Sequence, residues 1–244
     1  MKLTKEQFTS MTQEMSKNIG LELNEQQLQK IYIYKEMLLE WNEKINLTAI
    51  TDDEEIVAKH IIDSLQIVRH IKENQKVIDV GTGAGLPGII IAIYFEGKIK
   101  ITLFDALNKR IVFLNEVINK LNLVNVEAVH GRAEDSSRDE KYRETYDIVV
   151  SRAVARLNIL MELTAQFTNI NGHCIYMKAD RAYEELQESN NAQKQLGLKY
   201  INGDNYTINL RDELHTRTIL TFKKQETTKK QYPRQYSKIK KAPL

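Results

Sequence analysis

The stretch Lys76-Val77-Ile78-Asp79-Val80-Gly81-Thr82-Gly83-Ala84-Gly85-Leu86-Pro87-Gly88 decides the fold. A short β-branched run meets four glycines in eight residues, and an apolar run, Ile89 to Ile93, follows. The pattern predicts a buried parallel strand, a glycine turn and the start of a packed helix. Glycine allows positive φ and close approach of a ligand where a Cβ would block it. Open α/β sheets bind ligands at such turns, beyond the carboxyl ends of their strands.

Two ligand classes use this kind of turn. Gly81-x-Gly83-x-Gly85 is the spacing common in S-adenosylmethionine (SAM) methyltransferases, and Gly83 to Gly88 also satisfies the dinucleotide pattern G-x-G-x-x-G. The second match starts two residues late, because Gly81 already holds the strand end. The flanking acids favour SAM more strongly. Asp79 lies in the strand just before the turn and would repel a pyrophosphate, whereas SAM carries a sulfonium, an ammonium and no phosphate. Asp105 closes the next apolar run, Ile101 to Phe104, where it can accept hydrogen bonds from a ribose diol of either ligand.

Outward from this centre, the chain reads as an alternation. Strands are expected at Lys76–Val80, Lys100–Asp105, Asn125–His130, Tyr146–Val150 and Gly172–Met177. Helices are expected at Asn108–Leu121, about Arg156–Phe167 and 182–196. Two further strands, near Lys199–Ile208 and Arg217–Phe222, would close the sheet as an antiparallel edge pair. Such alternation means a mostly parallel seven-stranded sheet covered by helices on both faces.

Residues 1–72 read as a helical extension. Leu28, Ile31, Lys35 and Leu38 form a helical stripe behind the candidate N-cap Asn24, and a polar break is expected at Trp41–Thr48. Thr51 precedes four acids, Asp52 to Glu55, that suit the first turn of a new helix. That helix places His60, Asp63 and Ser64 on one face. The face either seats the helix on the main domain or lines a substrate entrance.

The chain has 244 residues, enough for one α/β domain of residues 73–224 with appendages. It shows no run long enough to span a bilayer and no apolar signal-peptide centre, so a cytoplasmic protein is expected. A single cysteine, Cys174, excludes an internal disulfide framework. It sits in an apolar strand as a small core residue rather than a nucleophile. No metal site is expected. Residues 223–244 carry eight Lys/Arg and one acid, a formal +7, against −5 for the rest. In the basic tail, residues 225–244, Lys229, Lys230, Arg234, Lys238, Lys240 and Lys241 are interleaved with Tyr232 and Tyr236. This composition suits an RNA backbone with stacking partners, or a disordered solubilising end.

Taken in order, several segments resemble the RsmG (GidB) family of ribosomal small-subunit methyltransferases. They are Asn46-Leu47-Thr48, His60 to Leu65, Asp79 to Gly88, Asn108 to Leu114, Arg132-Ala133-Glu134, Ser151 to Ala155 and Tyr232-Pro233-Arg234. The resemblance implies a class I, Rossmann-like SAM-dependent methyltransferase with an N-terminal helical extension. It implies methylation of a guanine N7 in 16S rRNA, with S-adenosylhomocysteine (SAH) as product and the small ribosomal subunit as partner. Gly81, Leu86, Ala133, Glu134 and Arg152 are carried over as cofactor contacts, joined by Asp79, Gly83 and Gly85 from the turn and its strand and by Asp105 from the ribose argument. Two segments depart from the family pattern: Lys178-Ala179-Asp180 where Lys-Gly is usual, and Gln235-Tyr236-Ser237-Lys238 where a Pro-Gly-x-Pro run is usual.

No Asp/Asn-Pro-Pro-aromatic motif of amino-group methylation follows the fourth strand, where Ser151-Arg152-Ala153 stands. Guanine N7 has a lone pair and no proton to lose, so positioning and electrostatics should suffice. Arg152, Lys178, His60 and Asp63 are the substrate-positioning candidates, and none is assigned as a general base. Arg152 either bridges cofactor and RNA or pairs locally with Asp147 or Glu134. Lys178 either holds a phosphate or guanine O6 or is merely solvated. A monomer with no obligate protein partner is expected.

Overall fold

A computed structural model describes residues 2–152, 154–211 and 213–244, so Ala153 of the Ser151–Ala155 segment lies outside the described residues. Seven strands form one sheet in the order β3-β2-β1-β4-β5-β7-β6. They are β1 (Lys76–Val80), β2 (Lys100–Asp105), β3 (Val126–His130), β4 (Tyr146–Arg152), β5 (Thr168–Lys178), β6 (Leu198–Leu210) and β7 (Glu213–Lys224). The first five are parallel, and β7 runs antiparallel between β5 and β6. This is the class I methyltransferase topology. Its order reverses between β1 and β4, which opens a crevice at their carboxyl ends.

The period-two alternation of the strands divides the core in two. Val77, Leu103, Val150 and Ile175 pack with the N-terminal helices on one face. Ile78, Phe104, Val149, Cys174 and Phe222 pack on the other. Burial on both faces explains why β1, β2 and β4 read as continuous apolar runs.

The extension contributes α1 (Lys5–Asn18), α2 (Glu25–Ile45) and a composite α3 over residues 53–70. Asn24 caps α2 through a reciprocal box with Gln27. The polar break expected at Trp41–Thr48 begins only at Asn46. Trp41 packs on Phe113 with ring centroids 5.6 Å apart, and the helix runs to Ile45 before Asn46 turns left-handed. Asp52, the first of the four acids, caps α3, accepting from the Glu55 N–H at 3.2 Å. Within α3, Ile56–Ile62 is π-helical, and Gln66–His70 tightens to a 3-10 turn. Lys35 of the α2 stripe is fully buried and is neutralised by Asp53 at 3.4 Å and Glu36 at 2.5 Å.

The remaining helices are α4 (Gly88–Phe95), α5 (Asn108–Lys120), α6 (Ala133–Ser136), α7 (Leu157–Thr164), α8 (Ala182–Glu188), α9 (Asn190–Leu196) and α10 (Tyr236–Lys241). The last was not foreseen in the basic tail. Its Ile239 is fully buried, and the helix lies on α7. Among the described residues, no helix is long and apolar enough to cross a membrane, and no cluster of His, Cys, Asp and Glu is suited to a metal ion.

Candidate active site

β1 ends in Val80 and the chain turns at Gly81, whose φ is +74°. A Cβ on Gly81 would stand 2.5 Å from Val154 Cγ2, so only glycine keeps this turn against β4. Gly83 also has positive φ, and a Cβ there would meet nothing nearer than Gly81 O at 3.9 Å. The loop therefore presents bare backbone to open space. From the extension, the buried Tyr34 hydroxyl donates to Ala84 O at 2.8 Å and props the loop from behind.

Asp79 lies under this loop rather than in the hollow. Its Oδ2 accepts from Thr82 Oγ1 at 2.7 Å and from the Gly88 N–H at 2.8 Å. Complete burial raises its pKa to about 6 despite those two bonds. The expected direct contact of Asp79 with a ligand is thus replaced by a role in shaping the loop. Asp105 does face the hollow. It accepts from the Gly83 N–H and the Leu107 N–H, both at 2.9 Å, and pairs with Arg110 at 3.1 Å.

Three hollows meet along the strand ends. The first, about 490 Å³, is lined by Gly81 to Ala84, Leu86, Asp105, Thr48, His60, Arg110 and Arg152. The second, about 260 Å³, continues it over β2 and β3, bounded by Phe104, Gly131, Ala133, Glu134, Leu163 and Tyr236. The third, about 490 Å³, opens over β4 and β5 between Lys59, Asp63, Arg156, Lys178 and Arg217. His60, Arg152 and Val154 belong to both the first and the third. A larger hollow, about 540 Å³, surrounds Tyr94 near the amino ends of β1 and β2. It holds none of the loop residues.

Arg152 has neither of its expected partners. Asp147 accepts from the Lys76 N–H and from Asn169, each at 2.8 Å, and Glu134 lies 3.7 Å from Arg132. Arg152 instead donates to Asp63 Oδ2 at 2.9 Å and to Lys59 O at 3.2 Å. The other oxygen of Asp63 accepts from the Tyr206 hydroxyl at 2.6 Å, with Arg217 at 4.0 Å. One buried carboxylate thus ties α3 to β4, β6 and β7.

His60 Nε2 lies 2.9 Å from Thr48 Oγ1, while its buried Nδ1 has no partner among the described residues. Burial, and then the Arg152 charge, lowers the imidazole pKa to about 4, so the ring is neutral at physiological pH. Lys178 is not solvated. Its Nζ donates to Ala155 O at 2.8 Å and lies 2.7 Å from Glu185, leaving one of three donors for a ligand. Cys174 is fully buried, its thiol pKa raised by burial, as a core residue should be.

The tail requires a correction. Tyr232 is buried in the second core cluster. Arg234 forms a two-pronged ion pair with the fully buried Glu162, at 2.7 and 2.6 Å. Both therefore anchor the tail to the body and are not available to stack on or pair with RNA. Lys229, Lys230, Lys238, Lys240 and Lys241 are exposed.

A family model described as rRNA small subunit methyltransferase G matches residues 27–212. The ribosomal RNA small subunit methyltransferase G of Clostridium perfringens (strain SM101 / Type A) is 45% identical over 98% of this chain and 99% of its own. The chain belongs to the rRNA small subunit methyltransferase G family. Among solved structures, M. jannaschii TYW2 in complex with AdoMet matches 68% of this chain and 76% of its own at TM-score 0.52 and 20% identity. A SAM-dependent methyltransferase from Aquifex aeolicus matches 68% and 92% at TM-score 0.52 and 16% identity. These two establish the shared fold.

The family and fold are those of SAM-dependent methyltransferases, and the residues present fit that cofactor. The side-chain-free loop gives its backbone room, Asp105 supplies ribose-type acceptors, and the first two hollows are continuous through Gly81, Asp105, Ala106 and Val154. Of the residues anticipated, Gly81, Gly83, Leu86, Asp105 and Arg152 line the first hollow, and Ala133 and Glu134 the second. Gly85 lines neither, because it packs against Ile89 and Leu114. Tyr206, Arg217 and Arg110 were missed. Tyr206 lies 143 residues from its partner Asp63, and no local pattern marks such a pair.

Proposed function

We propose that this protein transfers the methyl group of SAM to N7 of a guanine in 16S rRNA, releasing SAH. The observation that carries the reading is the wall formed by His60, Arg152 and Val154. It separates the glycine-loop hollow from the hollow over β4 and β5, so a cofactor on one side and a base on the other meet across it. Bound SAM supplies an electrophilic methyl on a sulfonium.

The chain's own residues position the base. His60, neutral at physiological pH, lines the hollow over β4 and β5 without competing for a proton. The remaining donor of Lys178 faces the same hollow, and Arg152 supplies a cation held in place by Asp63. That carboxylate is engaged on one oxygen by Arg152 and on the other by Tyr206, so its charge is spent on holding the arginine. A nucleophile with no proton to lose suits such a site. The exposed lysines of the tail would meet the RNA backbone. The division into residues 1–72, 73–224 and 225–244 then follows function: seating of α3, cofactor binding, and RNA contact. We take the protein to act as a cytoplasmic monomer without an obligate protein partner.

The test is transfer of tritiated methyl from SAM to small subunits from cells lacking the protein, followed by chromatography of the nucleosides. Label in 7-methylguanosine is expected. Label in any other nucleoside would refute the atom assigned.

A further inference from the structure

We propose that the C-terminal tail completes the cofactor site, with the Tyr236 ring covering the adenine end of bound SAM or SAH. The inference rests on the SAM site described above and adds a wall to it from an unexpected part of the chain.

The second hollow opens where the strand ends of β2 and β3 lead away from the glycine loop, the place left for a purine once Asp105 takes the ribose. Its walls are largely apolar, from Phe104, Ala133, Val154 and Leu163, with the Glu134 carboxylate available to a polar edge. This combination suits a flat heteroaromatic ring with an exocyclic amino group. Tyr236 closes the remaining side. It is 42% exposed although aromatic, so ring surface is left for a ligand to cover.

Tyr236 is also held in place. Two residues before it, Arg234 pairs with buried Glu162. Three residues after it, Ile239 is fully buried in the helix that lies on α7. Upstream, Arg143 donates to Thr228 O at 2.8 Å and to Tyr232 O at 3.2 Å, and Arg138 donates to Pro233 O. A solvated RNA-binding arm needs none of these anchors. Fixing an aromatic ring before the ligand arrives removes the cost of ordering it on binding. The tail therefore faces two ways, with its lysines outward and Tyr236 over the cofactor.

Calorimetric titration of SAH, without RNA, tests this on the full chain and its Tyr236→Phe and Tyr236→Ala variants. Because aromatic–base stacking is at stake, Tyr236→Ala should weaken SAH about tenfold while Tyr236→Phe stays near the wild type. Adenosine should lose affinity in the same proportion. Hydrogen exchange on the unsubstituted protein supplies a reading that needs no variant: residues 234–241 should gain protection when SAH binds. Equal SAH affinity for Tyr236→Ala and wild type, or no protection of the tail, would overturn the proposal while leaving the SAM site intact. Failure of the wild type to bind SAH at all would overturn both.

Discussion

Asp79→Asn isolates the cost of the acid beneath the glycine loop. The folded pKa is about 6, against 3.8 for an aspartate free in water. For an acid with a raised pKa, the stabilising contribution is present below pH 3.8 and is lost as pH rises through 6. The full shift corresponds to about 3 kcal/mol. Roughly 2 kcal/mol of it falls between pH 4.5 and 8, since the folded carboxyl is mostly protonated at the lower pH and the unfolded one mostly is not. Asparagine does not titrate, and its amide oxygen can still accept from Thr82 or the Gly88 N–H. The stability of Asp79→Asn relative to wild type should therefore rise by about 2 kcal/mol across that range, or about 4–8 °C in Tm for a chain of this size. Urea unfolding of both proteins at several pH values measures it. Taking the difference matters, because buried His60 acts in the opposite sense: its contribution is present above pH 6.5 and is lost as pH falls towards 4. A flat difference between the two proteins from pH 4.5 to 8 would refute the assignment of an uncompensated buried carboxyl.

Asp63→Asn should lower stability by about 3 kcal/mol, because it leaves Arg152 without its buried counter-charge; Tyr206→Phe should cost only about 1 kcal/mol in the same denaturation assay. For His60, the pH–rate profile of methyl transfer should show no imidazole step between pH 6 and 8, and His60→Gln should reduce kcat/KM without changing the profile's shape. Gly81→Ala forces a side chain into positive φ and against Val154, and SAH affinity by calorimetry should fall at least about tenfold. Glu162→Gln should loosen the tail at a cost of about 2 kcal/mol, visible as faster tryptic cleavage after Lys229 and Lys230.

What the sequence made legible follows the range of the interactions. β1, the glycine turn and α4 are specified within twenty neighbouring residues, by β-branched burial and by positive φ. Strands β2 and β4 were equally plain because burial on both faces leaves uninterrupted apolar runs. The N-cap at Asn24 is a local device and legible in the sequence, although the reciprocal bond from Gln27 is not. Trp41 to Ile45 misled because their polarity masks an aromatic contact with Phe113, far along the chain. The tail misled for a related reason: eight cations in twenty-two residues look solvated until Glu162 is found beneath Arg234. Asp63 joins residues 152, 206 and 217, and only the folded sheet brings them together. Residue types announced a cofactor loop, but the partners of each charge depended on topology.

The π-helical stretch Ile56–Ile62 makes the site sensitive to length as well as to composition. Such a stretch amounts to one residue more than an α-helix would accommodate. Deleting one residue that lies between His60 and Asp63, Ile61 or Ile62, would remove the extra residue and change the angle between those two side chains about the helix axis. His60 precedes Asp63 across this boundary. Their shared view of Arg152 is therefore set by a count of residues, and a deletion that preserved every remaining side chain would still pull them apart.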